Sequence, residues 1–336
     1  MAIKFGLALD FWNPNKPLNK VLDDYSTLLA TAEKYGFDSV WAGENRPFMP
    51  EPGHTPSPLL ILAALAGRTT MRLATGVTLL PMWRPLRLAY DAAILDQLSQ
   101  GRFMLGVGIG NPFTMKRFGV DPKETAVRMD ESLRLLKHAW SGAEGFDGDL
   151  FSYEGIVYPG PVQEGGPPIL VGGAIPRAVR RATDMADGWI AATQFHHSLI
   201  KLQSERYWAR LAEQKKDPAK GIVAINRTCF VAETDAQARA EGKPYVSQVL
   251  NFYGRMGLIT DSEGNSLDHE KDLFEMVGPE VYAVGSPETC VETIRMYEEI
   301  GVNQINLRVT MGDMPMEYAQ RTVELMGSEV LPKFRD

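Results

Sequence analysis

A single local pattern recurs along this chain and constrains its fold more than any other feature. A helical segment ends at a glycine, and a short run of branched or aromatic apolar residues follows, as at 35–41, 100–105, 187–190 and 300–305. Glycine ends a helix in the left-handed conformation without a steric penalty from a Cβ atom. Short apolar runs are typical of parallel strands that are covered on both faces. The pattern therefore predicts helices that alternate with buried parallel strands.

Extended along the whole chain, the pattern predicts eight strands and the helices between them. The strands begin near Ile3, Ser39, Arg72, Phe103, Ile169, Trp189, Ile222 and Ile305. Helices are expected at 18–35, 58–69, 85–100, 125–140, 176–185, 198–215 and 287–300. This alternation favours a closed α/β barrel, the (β/α)8 TIM barrel, over an open doubly wound sheet. A length of 336 residues lies within the range of that fold.

Two intervals are longer than a plain strand–helix connection needs. They span 111–168, after the fourth strand, and 232–287, after the seventh, and both contain stretches rich in glycine, proline or acidic residues. Long loops in a compact domain are usually functional, so we expect these insertions to shape a substrate pocket. Neither resembles a flexible linker, and we interpret residues 1–336 as one domain.

The composition excludes several classes of protein. A net charge of -7 argues against a nucleic-acid surface, which normally has a basic excess. Cys229 and Cys290 are the only cysteines, and two in so long a chain make no disulfide framework, which suits the reducing cytoplasm. The chain starts without a signal-like region, and its densest apolar stretch, 59–66, is too short to span a membrane. We therefore expect a cytoplasmic protein.

The helix predicted around 59–66 is apolar on all sides and must be covered all round. The preceding loop is one possible cover. A subunit interface, most simply that of a homodimer, is the other. The sequence leaves both open.

The strongest single motif is a strand that ends in Gly172-Gly173, followed by a helix that opens with Pro176. Proline is favoured in the first helical turn. Glycines let backbone N–H groups approach a phosphate, and the helix N-terminus adds partial positive charge. In barrels this is a common phosphate site, although a tight turn that needs glycine for its geometry alone is the plain alternative. Arg177 is the nearest candidate for a charged contact.

Other chemistries receive less support from the sequence. The run 106–111 is not a dinucleotide-binding fingerprint, because its third glycine is replaced by Asn111; it favours a strand end that admits a flat ligand close to Gly108. The histidines show no metal-binding spacing, and no serine nucleophile motif occurs. Hydrolysis by two carboxylates, such as Asp10 and Glu44, remains open, but no spacing singles them out.

Taken in order, the motifs resemble those of the bacterial luciferase-like superfamily of flavin- and deazaflavin-dependent oxidoreductases. The resemblance extends over nearly the whole chain. It rests on AEKYGFDSVW at 32–41, ATGVT at 74–78, DQLSQGRF at 96–103, VGG at 171–173, ADGW at 186–189, VGSPE at 284–288 and EVLP at 329–332.

The resemblance implies a barrel whose C-terminal strand ends hold a flavin ring. Many members have a non-proline cis peptide at the end of the third strand, which here would be Gly76-Val77. The cofactor contacts implied for this chain are Ala8, Asp10, Thr75, Gly76, Val77, Gly108 and Asn111 for the ring, and Gly172, Gly173, Ala174 and Arg177 for the phosphate.

This chain departs from the family pattern at two positions. Many relatives have a histidine after the acidic residue that follows the second strand, whereas Glu44 is followed here by Asn45, which cannot shuttle protons at neutral pH. Ile109 replaces a phosphate-binding arginine of luciferases, which leaves more of the phosphate to the glycine pair and Arg177. Glu44 and Asn45 are the candidate catalytic residues, and Arg46 or Arg84 could hold a negative group.

The expected function is a monooxygenase that uses O2 and reduced FMN, supplied by a separate flavin reductase, on a small-molecule substrate. Trp12, Met49, Met82 and Trp83 are candidate apolar walls of the substrate pocket, or they serve loop packing alone. One alternative is a hydride-transfer oxidoreductase that uses the deazaflavin coenzyme F-420. The other is a non-catalytic flavoprotein or accessory subunit.

Overall fold

Eight parallel strands form a closed barrel in the computed structural model, which describes residues 2–11, 13, 15–44, 55 and 57–335. The strands are β1 Lys4–Leu9, β2 Ser39–Ala42, β3 Arg72–Thr75, β4 Phe103–Gly108, β5 Ile169–Gly172, β6 Gly188–Ala191, β7 Ile222–Val231 and β8 Gln304–Arg308. Each pairs with the next, and β8 pairs with β1, where Gly6 lies beside Asn306. The predicted (β/α)8 barrel is confirmed, and each strand starts within one residue of its expected position.

Helices surround the barrel. The α-helices are Leu18–Lys34, Pro58–Leu65, Pro85–Leu98, Pro112–Arg117, Thr125–Trp140, Pro176–Asp184, His197–Glu213, Asp235–Gly254, Leu273–Val277, Pro287–Glu299 and Met316–Leu325. Short 3-10 turns occupy Leu80–Met82, Pro218–Lys220, Gly278–Glu280 and Leu331–Phe334, and Met326–Val330 is a π-turn. Every helix expected from the sequence is present, with ends that differ mostly by a few residues. No described helix is long and apolar enough to span a bilayer.

The two long intervals contain more regular structure than the sequence predicted. The first includes an antiparallel hairpin, Phe146–Asp147 with Ser152–Tyr153. The second includes helix Asp235–Gly254 and an extra strand, Tyr282–Gly285, which pairs with the second half of β7. The second interval therefore adds a strand and a helix beside β7.

Helix Asp235–Gly254 was not predicted because Gly242 and Pro244 both disfavour a helix interior. Tertiary packing accounts for the glycine, since a Cβ atom on Gly242 would lie 2.7 Å from the ring of Phe230. The helix can approach the barrel closely only at a residue without a side chain. Local propensity is overridden here by that contact.

The apolar helix Pro58–Leu65 is covered on most of its surface. Leu59, Ile61, Leu62 and Leu65 are buried, whereas Leu60 is 73% exposed. The loop at 45–54 that precedes it lies outside the described residues.

Candidate active site at the barrel mouth

One layer of apolar side chains fills the inside of the barrel beneath its mouth. Side chains two residues apart on a strand lie on the same face of the sheet. The residue two positions after each member of this layer therefore belongs to the next layer, which is closer to the C-terminal strand ends. The filled layer consists of Trp41, Ala74, Met104, Leu170, Ile190 and Ala224. The next residues on the four neighbouring strands β2 to β5 are Gly43, Gly76, Gly106 and Gly172. We call these four residues the glycine floor. A Cβ atom on any of them would lie between 2.0 and 3.4 Å from another barrel atom, so only glycine lets the strand ends pack this closely at the mouth.

Val77 lies on the glycine floor, next to three predicted contact residues. The Gly76-Val77 peptide is cis, as the resemblance implies. A Cβ atom would lie 2.7 Å from Val77 Cγ2 if it were added to Gly108, and 3.4 Å from Val77 Cγ1 if it were added to Gly172. The structure therefore brings Gly76, Val77, Gly108 and Gly172 together from three separate parts of the chain.

Three other predicted contacts serve the fold through their side chains. Thr75 is fully buried, and its hydroxyl donates to the carbonyl of Gly106 at 2.7 Å. Asn111 accepts from the N–H of Thr114 at 2.9 Å and so caps the helix that follows. Ala8 packs against the filled layer. The hydroxyl of Thr75 and the amide oxygen of Asn111 are therefore already bonded within the protein.

The turn after Gly172 has its carbonyl groups tied to buried side chains. Trp189 Nε1 donates to the carbonyl of Gly173 at 3.0 Å, and Gln203 Nε2 donates to the carbonyl of Ala174 at 2.6 Å. Because a trans peptide is planar, its N–H points opposite to its C=O. The N–H groups of Ala174 and Ile175 therefore point away from Trp189 and Gln203, and no described residue accepts from either.

These two N–H groups precede the N-terminus of helix Pro176–Asp184, whose dipole favours an anion. We call the backbone of 172–175 the anion cradle. The sequence indicated its glycines but not Trp189 and Gln203, because nothing local shows that a tryptophan on β6 and a glutamine on the next helix reach this turn.

Arg177 points to a different partner in this structure. Its Nη2 lies 2.7 Å from Asp130 Oδ2 on helix Thr125–Trp140, and its side chain is 48% exposed. Arg181 binds the same carboxylate. A contact between Arg177 and a phosphate would require it to exchange this partner.

Asp10 lies at the mouth, where it binds Arg308 at the end of β8. Arg308 Nε donates to Asp10 Oδ2 at 2.8 Å, and Nη2 contacts the same oxygen. The hydroxyl of Tyr25 donates to the backbone carbonyl of Asp10, and the backbone N–H of Asp10 donates to the hydroxyl of Thr310. Burial raises the pKa of Asp10, and the charge of Arg308 opposes that shift. Arg308 was missed from the sequence, although a charged residue at the end of an apolar strand is a signal that could have indicated it.

Burial also raises the pKa of the phenols of Tyr25 and Tyr253, which adjoin this ion pair. Both therefore stay protonated at neutral pH. The Asp10–Arg308 pair is thus bordered by two neutral phenols.

Glu44 follows β2 and is buried. Its Oε2 accepts from the N–H of Leu79 at 2.7 Å and from Trp83 Nε1 at 3.1 Å, and its own N–H donates to the carbonyl of Val77 at 2.8 Å. Glu44 therefore connects the end of β2 to the segment after the cis peptide.

The remaining residues that the sequence predicted for the mouth fall into two groups. The second catalytic candidate, Asn45, lies outside the described residues, as do Arg46, Trp12 and Met49. Met82 and Trp83 are half-buried and Arg84 is exposed, all three in the segment between β3 and helix Pro85–Leu98.

Among the described residues, two buried polar atoms near the barrel mouth have no hydrogen-bond partner. They are Thr78 Oγ1, just after the cis peptide, and Gln194 Oε1, in the segment after β6. Buried polar atoms are nearly always hydrogen-bonded in a folded protein. Together with the glycine floor and the anion cradle, they fit a flat cofactor with an anionic tail. Within the described residues, no group of three or more metal-ligating side chains occurs.

Comparison with known proteins identifies the class to which this site belongs. The family model for luciferase-like monooxygenases matches residues 3–304. The chain therefore belongs to this family and is an oxidoreductase.

Relatives within the family differ in their chemistry. The oxygenase component of flavin-dependent trigonelline monooxygenase from Acinetobacter baylyi is 24% identical over 94% of this chain and 91% of its own length. F420-dependent glucose-6-phosphate dehydrogenase from Nakamurella multipartita is 26% identical over 93% of this chain and 92% of its own.

The fold is shared with solved structures. The oxygenating constituent of 3,6-diketocamphane monooxygenase from Pseudomonas putida, solved in complex with FMN, superposes with a TM-score of 0.78 at 22% identity, over 99% of this chain and 98% of that one.

The Asp10–Arg308 pair gives a direct stability prediction. Asp10→Ala leaves a guanidinium that is only 15% exposed without its carboxylate. Breaking a buried pair in this way costs roughly 3 kcal/mol or more, and urea denaturation measures the loss in free energy of unfolding.

The double variant Asp10→Ala/Arg308→Met should recover much of that loss, because it removes the unpaired charge as well. Asp91→Ala, which breaks an exposed ion pair with Arg87, is the matched control and should cost less than about 1 kcal/mol. Equal losses in Asp10→Ala and Asp91→Ala would contradict this account.

Proposed function

We propose that this protein is a flavin-dependent monooxygenase that uses reduced FMN and O2 to oxygenate a small organic substrate. The observation that supports it best is the glycine floor beside the anion cradle. A flat ring needs a surface without side chains, and a phosphate needs the N–H donors that Ala174 and Ile175 present. FMN combines both chemical features in one molecule.

The described residues have separate tasks in this proposal. The N–H groups of Ala174 and Ile175 bind the phosphate, the glycine floor admits the ring, and Val77 contacts it. Glu44 holds the segment after the cis peptide in place. Reduced flavin supplies the two electrons with which one atom of O2 enters the substrate and the other leaves as water. The insertions and the loops above the strand ends exclude bulk water from this site.

A separate reductase supplies the reduced flavin. The described chain folds as one barrel, and the relative from Acinetobacter baylyi is named as the oxygenase component of its system. An added NADH-dependent flavin reductase should therefore restore turnover that NADH alone does not support.

Purified protein tests the main proposal. With the correct substrate and reduced FMN, it should consume oxygen faster than free reduced flavin does. The absence of any stable complex with FMN would overturn the proposal.

The second candidate function is hydride transfer with the deazaflavin coenzyme F-420. The dehydrogenase from Nakamurella multipartita supports it, because this relative is as similar overall as the monooxygenase. The glycine floor and the anion cradle would suit that coenzyme as well, since it too joins a flat ring to a phosphate. Parallel absorbance titrations with FMN and with F-420 separate the two functions, and tighter binding of F-420 would favour the second.

Gly173 provides a specific test of the anion cradle. It has a φ of +150°, which side chains rarely adopt, and a Cβ atom there would lie 2.8 Å from Ala178 Cβ. Gly173→Val should therefore abolish detectable binding of FMN in a fluorescence titration.

Gly160→Ala is the matched control, because an added Cβ would meet no atom within 4 Å. It should bind FMN like the wild type. Riboflavin, which lacks the phosphate, separates a local effect from misfolding. If Gly173→Val still binds riboflavin but not FMN, the variant is folded and only the phosphate contact at the anion cradle is lost. Unchanged FMN binding in this variant would rule out a phosphate at 172–175.

We further propose that the protein is a homodimer whose interface includes Leu60. The Leu60 side chain is 73% exposed, although it lies on a helix made only of apolar residues. On the adjoining helix Pro85–Leu98, Ile94 and Leu98 are 43% and 54% exposed. Leu60→Asp should convert a dimer to a monomer in sedimentation equilibrium, while the exposed Leu202→Asp should not. A monomeric wild type would contradict this proposal.

We also propose a cytoplasmic location. The free buried thiols of Cys229 and Cys290 support it, because free cysteines suit a reducing compartment.

A further inference from the structure

Asn226 interrupts the surface of small residues at the barrel mouth. The layer that contributes glycine on β2 to β5 has alanine, Ala192, directly after β6, and Asn226 on β7. Asn226 is only 7% exposed. It is thus a buried amide beside a surface that is otherwise bare backbone or methyl.

The oxygen of this amide is bound inside the barrel. Asn306 Nδ2 donates to Asn226 Oδ1 at 3.0 Å, and Asn306 Oδ1 in turn accepts from Gln304 Nε2 at 2.8 Å. Gln304 Nε2 also contacts Ser39 Oγ at 3.3 Å, which accepts from Trp41 Nε1 at 2.8 Å. All five side chains are buried. Each amide in this series donates toward the next, so the orientation of Asn226 is determined by the whole series.

The nitrogen of Asn226 faces the glycine floor. A Cβ atom on Gly76 would lie 3.7 Å from Asn226 Nδ2 and 3.1 Å from Trp41 Cε3. Among the described residues, Nδ2 has no hydrogen-bond acceptor. Nδ2 therefore keeps an unused donor at the mouth, and a bound group with an acceptor atom can take it up.

We propose that Asn226 is a cofactor-contacting residue whose amide N–H donates a hydrogen bond to an acceptor atom of the bound ring. The inference rests on the proposed function, since it needs a ring on the glycine floor. Both flavin and deazaflavin rings have carbonyl oxygens and ring nitrogens that can accept. On two-electron reduction the ring becomes richer in electrons, and a neutral donor stabilises negative charge there. Asn226 therefore favours binding of the reduced ring over the oxidised one.

The series inside the barrel has a positioning role in this proposal. Asn306 holds the oxygen of Asn226, which prevents the amide from rotating so that its oxygen faces the ring. An amide in the rotated state would repel the electron-rich ring. Ser39, Gln304 and Asn306 do not touch the ring themselves.

Binding of FMN in two redox states tests this role without any turnover. The quantity to measure is the Kd for reduced FMN, determined anaerobically, divided by the Kd for oxidised FMN. Asn226→Asp replaces the donor by an acceptor that carries negative charge, and it should raise this ratio about tenfold, since a hydrogen bond to a charged group contributes roughly 1.5 kcal/mol or more. Asn226→Ala removes the donor without adding charge and should raise the ratio less.

Asn303→Asp is the matched control. Asn303 bridges the N–H of Val223 and the carbonyl of Gly221 at the opposite end of the barrel, with distances of 2.9 Å for both bonds. The same substitution there should leave the ratio unchanged even if it lowers the thermal midpoint. If Asn226→Asp fails to fold, Asn226→Ala decides the question alone.

An unchanged ratio in folded Asn226→Asp or Asn226→Ala would overturn the role of Asn226, and it would leave the proposed function intact. Failure of the wild type to bind either FMN or F-420 would overturn both. If the wild type binds only F-420, the same ratio measured with that coenzyme applies.

Discussion

The candidate site depends on a packed layer inside the barrel. Trp41, Met104, Leu170 and Ile190 fill the interior directly beneath the mouth and exclude water from it. Because that space is already filled, the residues above it can be glycine without creating a cavity. The glycine floor is therefore possible only on a barrel that is closed and filled below.

Peptide orientation is the second constraint, and it is imposed from outside the site. Trp189 and Gln203 hold two carbonyl groups, and planarity then turns the adjoining N–H groups the other way. Neither side chain needs to touch a ligand in order to shape the cradle. Preorganised donors of this kind bind an anion without reorganising, which is where their energetic advantage lies. Similar logic applies inside the barrel, where Asn306 orients Asn226.

The family unites relatives with different redox cofactors, and the site explains how one fold can serve both. In our proposal the glycine floor accommodates a ring and the N–H donors bind a phosphate, and flavin and deazaflavin coenzymes share both of these groups. What distinguishes the reactions must then depend on the side chains around the ring. In this chain Glu44, Asn226 and Arg308 are the side chains that we propose for this role, and none of them is a histidine.

The sequence by itself determined the barrel, because the glycine-ended helices and the apolar runs after them are local signals with a fixed physical meaning. It also singled out the glycines at 76, 108 and 172–173 as candidate cofactor contacts, and the structure shows that an added Cβ atom would be crowded at each of them. It could not anticipate helix Asp235–Gly254, whose Gly242 makes sense only against Phe230. Only the tertiary structure paired Asp10 with Arg308, directed Arg177 to Asp130 and aimed the Asn226 amide at the floor. Each of these depends on residues tens to hundreds of positions apart, and the distance between such residues is decided by barrel closure rather than by any local pattern.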